Sequence, residues 1–412
     1  MKQSAGECRP GEKPRDIKLT NRRIILQLLR QGEKVSLGQL AESCGLSRNT
    51  VKKSMDYFLE KGIAIDAGKG SSTSEGGKKP DMFVLNENWG ILCSFYCKGS
   101  QIHGALYSIG MNLIIQSQEK APDHTPESTV DSCDRLYRNM LEKAGLSSDM
   151  LKAVTCSIHG VVDIHTGIVF SSIGSGWNGQ VPLGDMLHEK MGAPVFCCNP
   201  VRSMLLCESY EDPAVRENSA LLYTNGSGAM AALIRGGVVV QGKRCVLGEI
   251  SGIPLNFTAH PDSEKLGGDG LGDLVCKKRL RSEIASNPAL YSSSILSMLG
   301  HEPELSDIFM AAERGDELGQ AVIRYAARWF AVSIRQLLFL ADPDIIILQG
   351  DYADAGEYFL STLKRYVQSY VAPAVSVIPD IRISRQDEIT SCIRGGGIIA
   401  ENGVFSDKEM YE

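Results

Sequence analysis

The stretch VFCCNPVRSMLLCESY, residues 195–210, reads as an apolar strand that ends at an Asn and gives way to a short helix. An Asn at the end of a strand can aim its amide into a cleft, where one carbonyl acceptor and two N–H donors suit vicinal hydroxyls. A carboxylate one position later could take a proton from such a hydroxyl, which is the work of a general base. Residue 200 is instead a proline, with no proton acceptor at all. The stretch offers binding chemistry without acid–base chemistry.

No metal site replaces that loss. The twelve cysteines are scattered, two of them adjacent at Cys197 and Cys198, and no C-x-x-C pair of the zinc or redox kind occurs. Cys93, Cys97, Cys156, Cys197 and Cys198 fall in apolar, strand-like runs, which reads as reduced structural thiols behaving as small buried hydrophobes. His260 reads as a surface or hydrogen-bonded histidine, because a structural zinc needs four ligands and no thiol cluster stands near it. Neither a metal nor a cofactor is expected.

A different chemistry stands at the other end of the chain. Residues 9–85 carry 15 Lys/Arg against 9 Asp/Glu, whereas residues 86–412 carry 27 against 39, so the two parts suit different partners. In the basic part, Ile24, Ile25, Leu28 and Leu29 mark one helical face stopped by Gly32, and Leu37, Leu40, Ala41 and Cys44 mark a second stopped by Gly45. Ser47 then reads as the N-cap of a third helix with Val51, Met55, Phe58 and Leu59 inward, closing at Gly62. Two helices joined by a short Gly-containing turn make a helix-turn-helix. The outward residues Ser47, Arg48, Asn49, Thr50, Lys52 and Lys53 are the small polar and cationic types needed where a helix enters the major groove. A Gly-rich hairpin follows, and Lys78 and Lys79 at its tip read as a wing that holds phosphate without reading sequence.

The elements that must position these residues are legible by period. From Trp89 onward strand-like and helix-like segments alternate: a three-strand meander over 90–119, a helix over 127–145, strands at 151–162 and 194–199, then a second strand set from Ser219. Two α/β halves, each opening on a meander, suggest a cleft between them. The segment GQAVIRYAARWFAVSIRQLLFLA is apolar around much of its circumference, with Trp329, Phe330, Leu337, Leu338 and Phe339, as expected of a helix buried between halves or subunits. The composition, 43% apolar and 22% charged, is that of an ordinary globular protein. No run of about 18 apolar residues and no signal peptide is seen, so a cytoplasmic protein with no membrane partner is expected.

Several short motifs, weak singly, fall in one order. They are GGKKP at 76–80 after the helix-turn-helix, GVVDIHTGIV at 160–169, GWN at 176–178, NGSG at 225–228, GEI at 248–250, PDIIILQG at 343–350 and GGGIIA at 395–400. In that order the chain resembles the ROK family (repressors, open reading frames, kinases), specifically its regulator branch, over nearly the full length. The resemblance implies an α/β fold, an N-terminal winged helix-turn-helix plus a two-lobed actin-like, ribonuclease-H-like sugar-kinase fold. The expected organisation is a tail at 1–16, the DNA-binding part at 17–86, one lobe at 87–199 and the other at 200–412, with a C-terminal helix able to return to the first lobe.

Against the family pattern, the chain departs where chemistry happens. By resemblance, Pro200 stands in place of the catalytic Asp, YCKGS at 96–100 lacks the carboxylate of the family's Asp-x-Gly-x-Thr loop, the NGSG loop lacks the usual Thr before Gly226, and Asp351 puts an anion where phosphates would approach. The family's zinc motif falls on EKLGGDGLGD, where Glu264, Leu266 and Leu271 replace the cysteine ligands. A non-enzyme is expected. By resemblance, Asn178, Asn199, Glu249 and Asp273 occupy positions that bind sugar hydroxyls or hold the pocket; alternatively Asn178 serves a turn and Glu249 pairs with Arg244 or Lys243. The expectation is a repressor of carbohydrate-related genes that binds a palindromic operator as a homodimer or dimer of dimers, with a sugar or sugar derivative as effector. A sugar kinase fused to a DNA-binding part, and a regulator governed by a protein partner, are the rivals.

Overall fold

A computed structural model of the chain describes residues 14–70, 79–226, 228–257 and 268–411. The chain clusters into two compact units, the first made of Met1–Cys156, Pro182–Cys197 and Gly396–Glu412 and the second of Ser157–Val181 and Cys198–Gly395. Residues 157–181, which the sequence groups with the first half, thus join the second. A reason is visible at Asn199, whose Nδ2 donates to the Gly160 carbonyl at 3.1 Å.

The basic N-terminal segment folds into three helices and a small sheet. They are α1 (Pro14–Leu29), β1 (Val35–Ser36), α2 (Leu37–Cys44), α3 (Arg48–Glu60), β2 (Ala64–Lys69) and β3 (Asp81–Leu85), with strand order β1-β3-β2, antiparallel throughout. α1 starts earlier than its periodicity suggests and buries Ile25, Leu26 and Leu29. α2 opens on a capping box between Ser36 and Gln39 and closes at Gly45, whose φ of 65° only a residue without Cβ adopts cheaply. Val51, Met55 and Phe58 of α3 close the small core.

The rest of the first unit is a five-stranded sheet. β4 (Ile91–Lys98), β5 (Gln101–Ser108) and β6 (Leu113–Lys120) form the expected antiparallel meander, with β7 (Leu151–Ile158) and β8 (Val195–Cys198) beyond β4 in the order β8-β7-β4-β5-β6. Seven consecutive residues of β4 are buried, the pattern of a central strand covered on both faces. Helices α4 (Pro126–Ala144) and α5 (Leu183–Met191) belong to this unit. Gly104 of β5 gives α4 its close approach, since a Cβ there would lie 2.9 Å from the Leu136 side chain.

The second unit repeats the theme. After α6 (Pro200–Glu211), β9 (Asn218–Asn225), β10 (Gly228–Arg235) and β11 (Val238–Val239) make a second meander, and β12 (Ile345–Gly350) and β13 (Asp380–Ile383) add in parallel to give β11-β10-β9-β12-β13. The long helix α7 (Glu317–Ala341) buries Val322, Ile323, Ala326, Ala327, Phe330 and Ile334 in the core of this unit. At its end Phe339 is 53% and Leu340 84% exposed in the single chain. The last helix, α8 (Glu388–Ser406), contributes residues to Gly395 to the second unit and from Gly396 to the first. Among the described residues no helix is long and apolar enough to cross a membrane.

Candidate functional site

Two arrays of polar side chains carry the chemistry. The first is the exposed face of α3. Ser47 caps the helix: its Oγ accepts the Thr50 amide at 3.2 Å and lies 2.9 Å from the Thr50 hydroxyl. Ser47, Arg48, Asn49, Lys52 and Lys53 are exposed, while Val51, Ser54, Met55 and Phe58 face inward. Thr50 is half-buried, and its hydroxyl lies 2.9 Å from the Ser47 hydroxyl. Lys79 is exposed; Lys78 lies outside the described residues. A groove of about 260 Å³ between α1 and α3, lined by Lys18, Asn21, Arg22, Thr50 and Lys53, extends this face in a direction the sequence reading missed. The signal was present as basic residues on α1, but which of them pointed toward α3 depended on the packing.

Four side chains tie this part to the end of the chain. Arg22, only 6% exposed, donates to the Tyr411 carbonyl at 2.6 Å and stacks 3.4 Å from the Tyr57 ring centre. Burial pulls its guanidinium below its ordinary value. Tyr57 donates to the Met410 carbonyl at 2.9 Å, Arg23 donates to the Ser406 carbonyl at 2.8 Å, and Arg30 forms an ion pair with the buried Glu401 at 2.6 Å. Arg22→Leu strands the Tyr411 carbonyl and removes the stack, so a loss of about 1–3 kcal/mol is expected, read as a lower melting temperature of the full chain. Sequence reasoning counted these arginines only as charge, because their partners lie about 380 residues away.

The second array is in the second unit. Asn199 is the N-cap of α6: its Oδ1 accepts the Val201 amide at 3.0 Å and its Nδ2 reaches the Gly160 carbonyl and the Met230 sulphur. Pro200 takes the first helical position, where a missing N–H costs nothing. Asn199 and Glu249 line one cavity with Gly160, Arg202, Met230 and Cys245, yet its volume is only about 10 Å³, room for about one water. Burial pushes the Glu249 carboxyl up to about 7, with Arg202 pulling the other way. The pairing with Arg244 or Lys243 read from sequence is replaced by this relation to Arg202, a residue of α6 that spacing along the chain could not bring near. Asn178, exposed in the strand Trp177–Val181, and Asp273, exposed and accepting the Gly270 amide at 3.2 Å as a helix cap, do not line this cavity.

The Glu249 shift has a definite sign. An unfolded Glu ionises near pH 4.3, so between there and about 7 the folded chain holds the extra proton and loses stability as pH rises. Glu249→Gln removes that loss. The variant is expected to melt like the parent near pH 4.5 and to exceed it above pH 7 by on the order of 2 kcal/mol, after discount for partial exposure.

Two loops of the second unit hydrogen-bond to each other. The Gly226 amide donates to the Asp351 carboxylate at 2.7 Å, and the Asp351 amide donates to the Thr224 carbonyl. Gly350 sits at φ 88°, and a Cβ there would meet the Thr224 carbonyl at 2.1 Å, so the loop closes tightly on β9. Among the described residues no group of three His, Cys, Asp or Glu could hold a metal. Glu264, Leu266 and His260 lie outside them; Leu271 is buried, and Ser251 spends its hydroxyl on both polar groups of Ala229.

A basic three-helix segment at the start of the first unit and two five-stranded sheets, each holding a meander, define a mixed α/β protein. The chain belongs to the ROK family: the model for that family matches residues 99–402. It is 22% identical over 357 residues to the xylose repressor of Bacillus spizizenii, covering 87% of this chain and 88% of that one. Against the transcriptional dual regulator NagC of Escherichia coli K12 it is 21% identical over 378 residues, covering 87% of each. A glucokinase of Halalkalibacterium halodurans is 22% identical over 280 residues, 66% of this chain and 83% of its own. A ROK family transcriptional regulator described as a homologue of the E. coli MLC protein superposes with a TM-score of 0.79 at 18% identity, over 94% of this chain and 97% of that one, and shows the same mixed α/β fold.

Proposed function

We propose that the chain is a DNA-binding transcriptional regulator, a repressor of carbohydrate-related genes, in which residues 17–86 act as a winged helix-turn-helix and the α/β remainder, residues 87–412, pairs subunits and senses an effector. The carrying observation is the capped, outward-facing run Ser47, Arg48, Asn49, Lys52 and Lys53 at the start of α3. Relatives named as repressors align with 87% of the chain, whereas the glucokinase aligns with 66%. Operator contact places the protein in the cytoplasm.

Phosphoryl transfer is not part of this function. Pro200 cannot accept the hydroxyl proton, and the Asp351 carboxylate already holds the Gly226 amide. Exposed Phe339 and Leu340, with Leu337, Leu340 and Ile253 around a shallow cavity of about 70 Å³, support subunit pairing through the end of α7. Asn199 and Glu249 are the sugar-facing groups of a cavity that must open to admit an effector, and Asn178 and Asp273, which lie outside it, join the site only in that open form. The cavity's 10 Å³ favours a second reading as well, in which a protein partner replaces the sugar.

One experiment separates these readings from a kinase. Purified chain is assayed with ATP, Mg²⁺ and a panel of sugars for phosphate transfer, and with DNA fragments from its own gene region for retardation. Retardation without transfer is expected; sugar-dependent phosphate transfer from ATP by the parent chain would sink the proposal.

A further inference from the structure

A cavity of about 480 Å³ lies in the first unit, where α3, the start of the small sheet, the turn at Trp89, β7, β8 and the end of α8 meet. Its size falls within the roughly 300–1,000 Å³ of small-molecule sites. Three aromatic rings line it: Tyr57 from α3, Trp89 from the turn between β3 and β4, and Phe196 from β8. Gly403 of α8 makes room for one of them, since a Cβ there would lie 2.2 Å from the Phe196 ring. Aromatic groups from three separate elements suit an aromatic guest.

Charge narrows the guest further. Lys152, half-buried, holds its ammonium 4.6 Å from the centre of the Trp89 ring, and Lys61 stands 5.8 Å from that of Tyr57. Neither forms a salt bridge among the described residues, so both are held by ring faces rather than by carboxylates. Asp407 and Glu409 also border the cavity, but both are exposed, and Asp407 accepts the Glu409 amide at 3.0 Å. Lys61 is exposed as well, so water screens all three more than the half-buried Lys152, and the least screened charge at the cavity is positive.

We propose that this cavity binds a planar aromatic carboxylate, with the ring between Tyr57, Trp89 and Phe196 and the carboxylate on Lys152 and Lys61. Because such a guest touches both α3 and the end of α8, its binding alters operator affinity; this coupling, unlike the site itself, rests on the DNA-binding reading above.

Calorimetry on the full chain decides the site without DNA. The probes are indole-3-carboxylate and benzoate, with indole-3-carboxamide, cyclohexanecarboxylate and L-phenylalanine as comparisons. Indole-3-carboxylate is expected to bind at least about tenfold more tightly than its amide and the saturated acid, and Lys152→Met, which keeps an apolar stem, to weaken it by about tenfold. Trp89→Leu should weaken it without changing the melting temperature of the unliganded chain by more than a few degrees. No heat at millimolar indole-3-carboxylate, equal binding of the amide, tighter binding of the zwitterionic phenylalanine, or undiminished binding to the Lys152→Met variant overturns the proposal. In a parallel titration with operator DNA, a change in affinity of threefold or more that vanishes in Lys152→Met supports the coupling; unchanged operator affinity refutes it. Failure to bind any DNA would count against the regulator reading, and calorimetry would still decide the site.

Discussion

Gly395→Ala is expected to lower the melting temperature by roughly 5–10 °C, the counterpart of about 3 kcal/mol in a unit of this size. A Cβ on Gly395 would stand 1.8 Å from the carbonyl oxygen of Ser203, and the obstacle is backbone of α6 rather than a side chain that could rotate away. The same change at Gly300, where an added Cβ meets nothing within 4 Å, serves as the control and should be close to neutral. Thermal unfolding followed by circular dichroism reads both. A near-neutral Gly395→Ala would mean that α6 and the start of α8 are not packed as described.

Arg48→Ala is expected to reduce operator affinity by about 10–100-fold, worth about 1–3 kcal/mol, while leaving the melting temperature unchanged. Arg48 is exposed in the first turn of α3, and its guanidinium lies against Gly38 of α2, in ordinary van der Waals distance of where a Cβ would be. It therefore has little folding work to lose. Lys52→Ala, a phosphate-type change, should instead weaken all duplexes alike and reduce the salt slope by about 1. Gel retardation at several salt concentrations distinguishes the two. An Arg48→Ala chain that binds with parental affinity would remove this side chain from the interface.

Much of this could be read along the chain because the determinants are local. Gly45 and Ser47 fix the turn between α2 and α3 by a left-handed backbone and a cap, each a property of one residue. The alternating runs gave both meanders, since a strand's period is carried in its own residues. The GGGIIA segment was recognisable as a motif, but its reason was not: Gly395 meets Ser203, while Gly396 and Gly397 meet Ser94 and Tyr107, all distant in sequence.

What stayed hidden depended on tertiary proximity. Asn199 and Glu249 converge, but the size of their cavity depends on Arg202 and Met230 filling it, and neither belongs to a motif. Asn178 and Asp273 were placed by resemblance alone, and their exposure gives them no shared cavity with the other two. The clamp of Arg22, Arg23 and Arg30 on the last residues was likewise invisible, because a cation's partner is not written beside it.

The most direct test of the central claim is selection of duplexes from a random library by the purified chain, repeated with Arg48→Ala. Enrichment of one inverted-repeat sequence by the parent, with loss or relaxation of that preference in the variant, is the predicted result. Recovery of no preferred sequence from the parent at low and moderate salt would contradict a sequence-specific regulator.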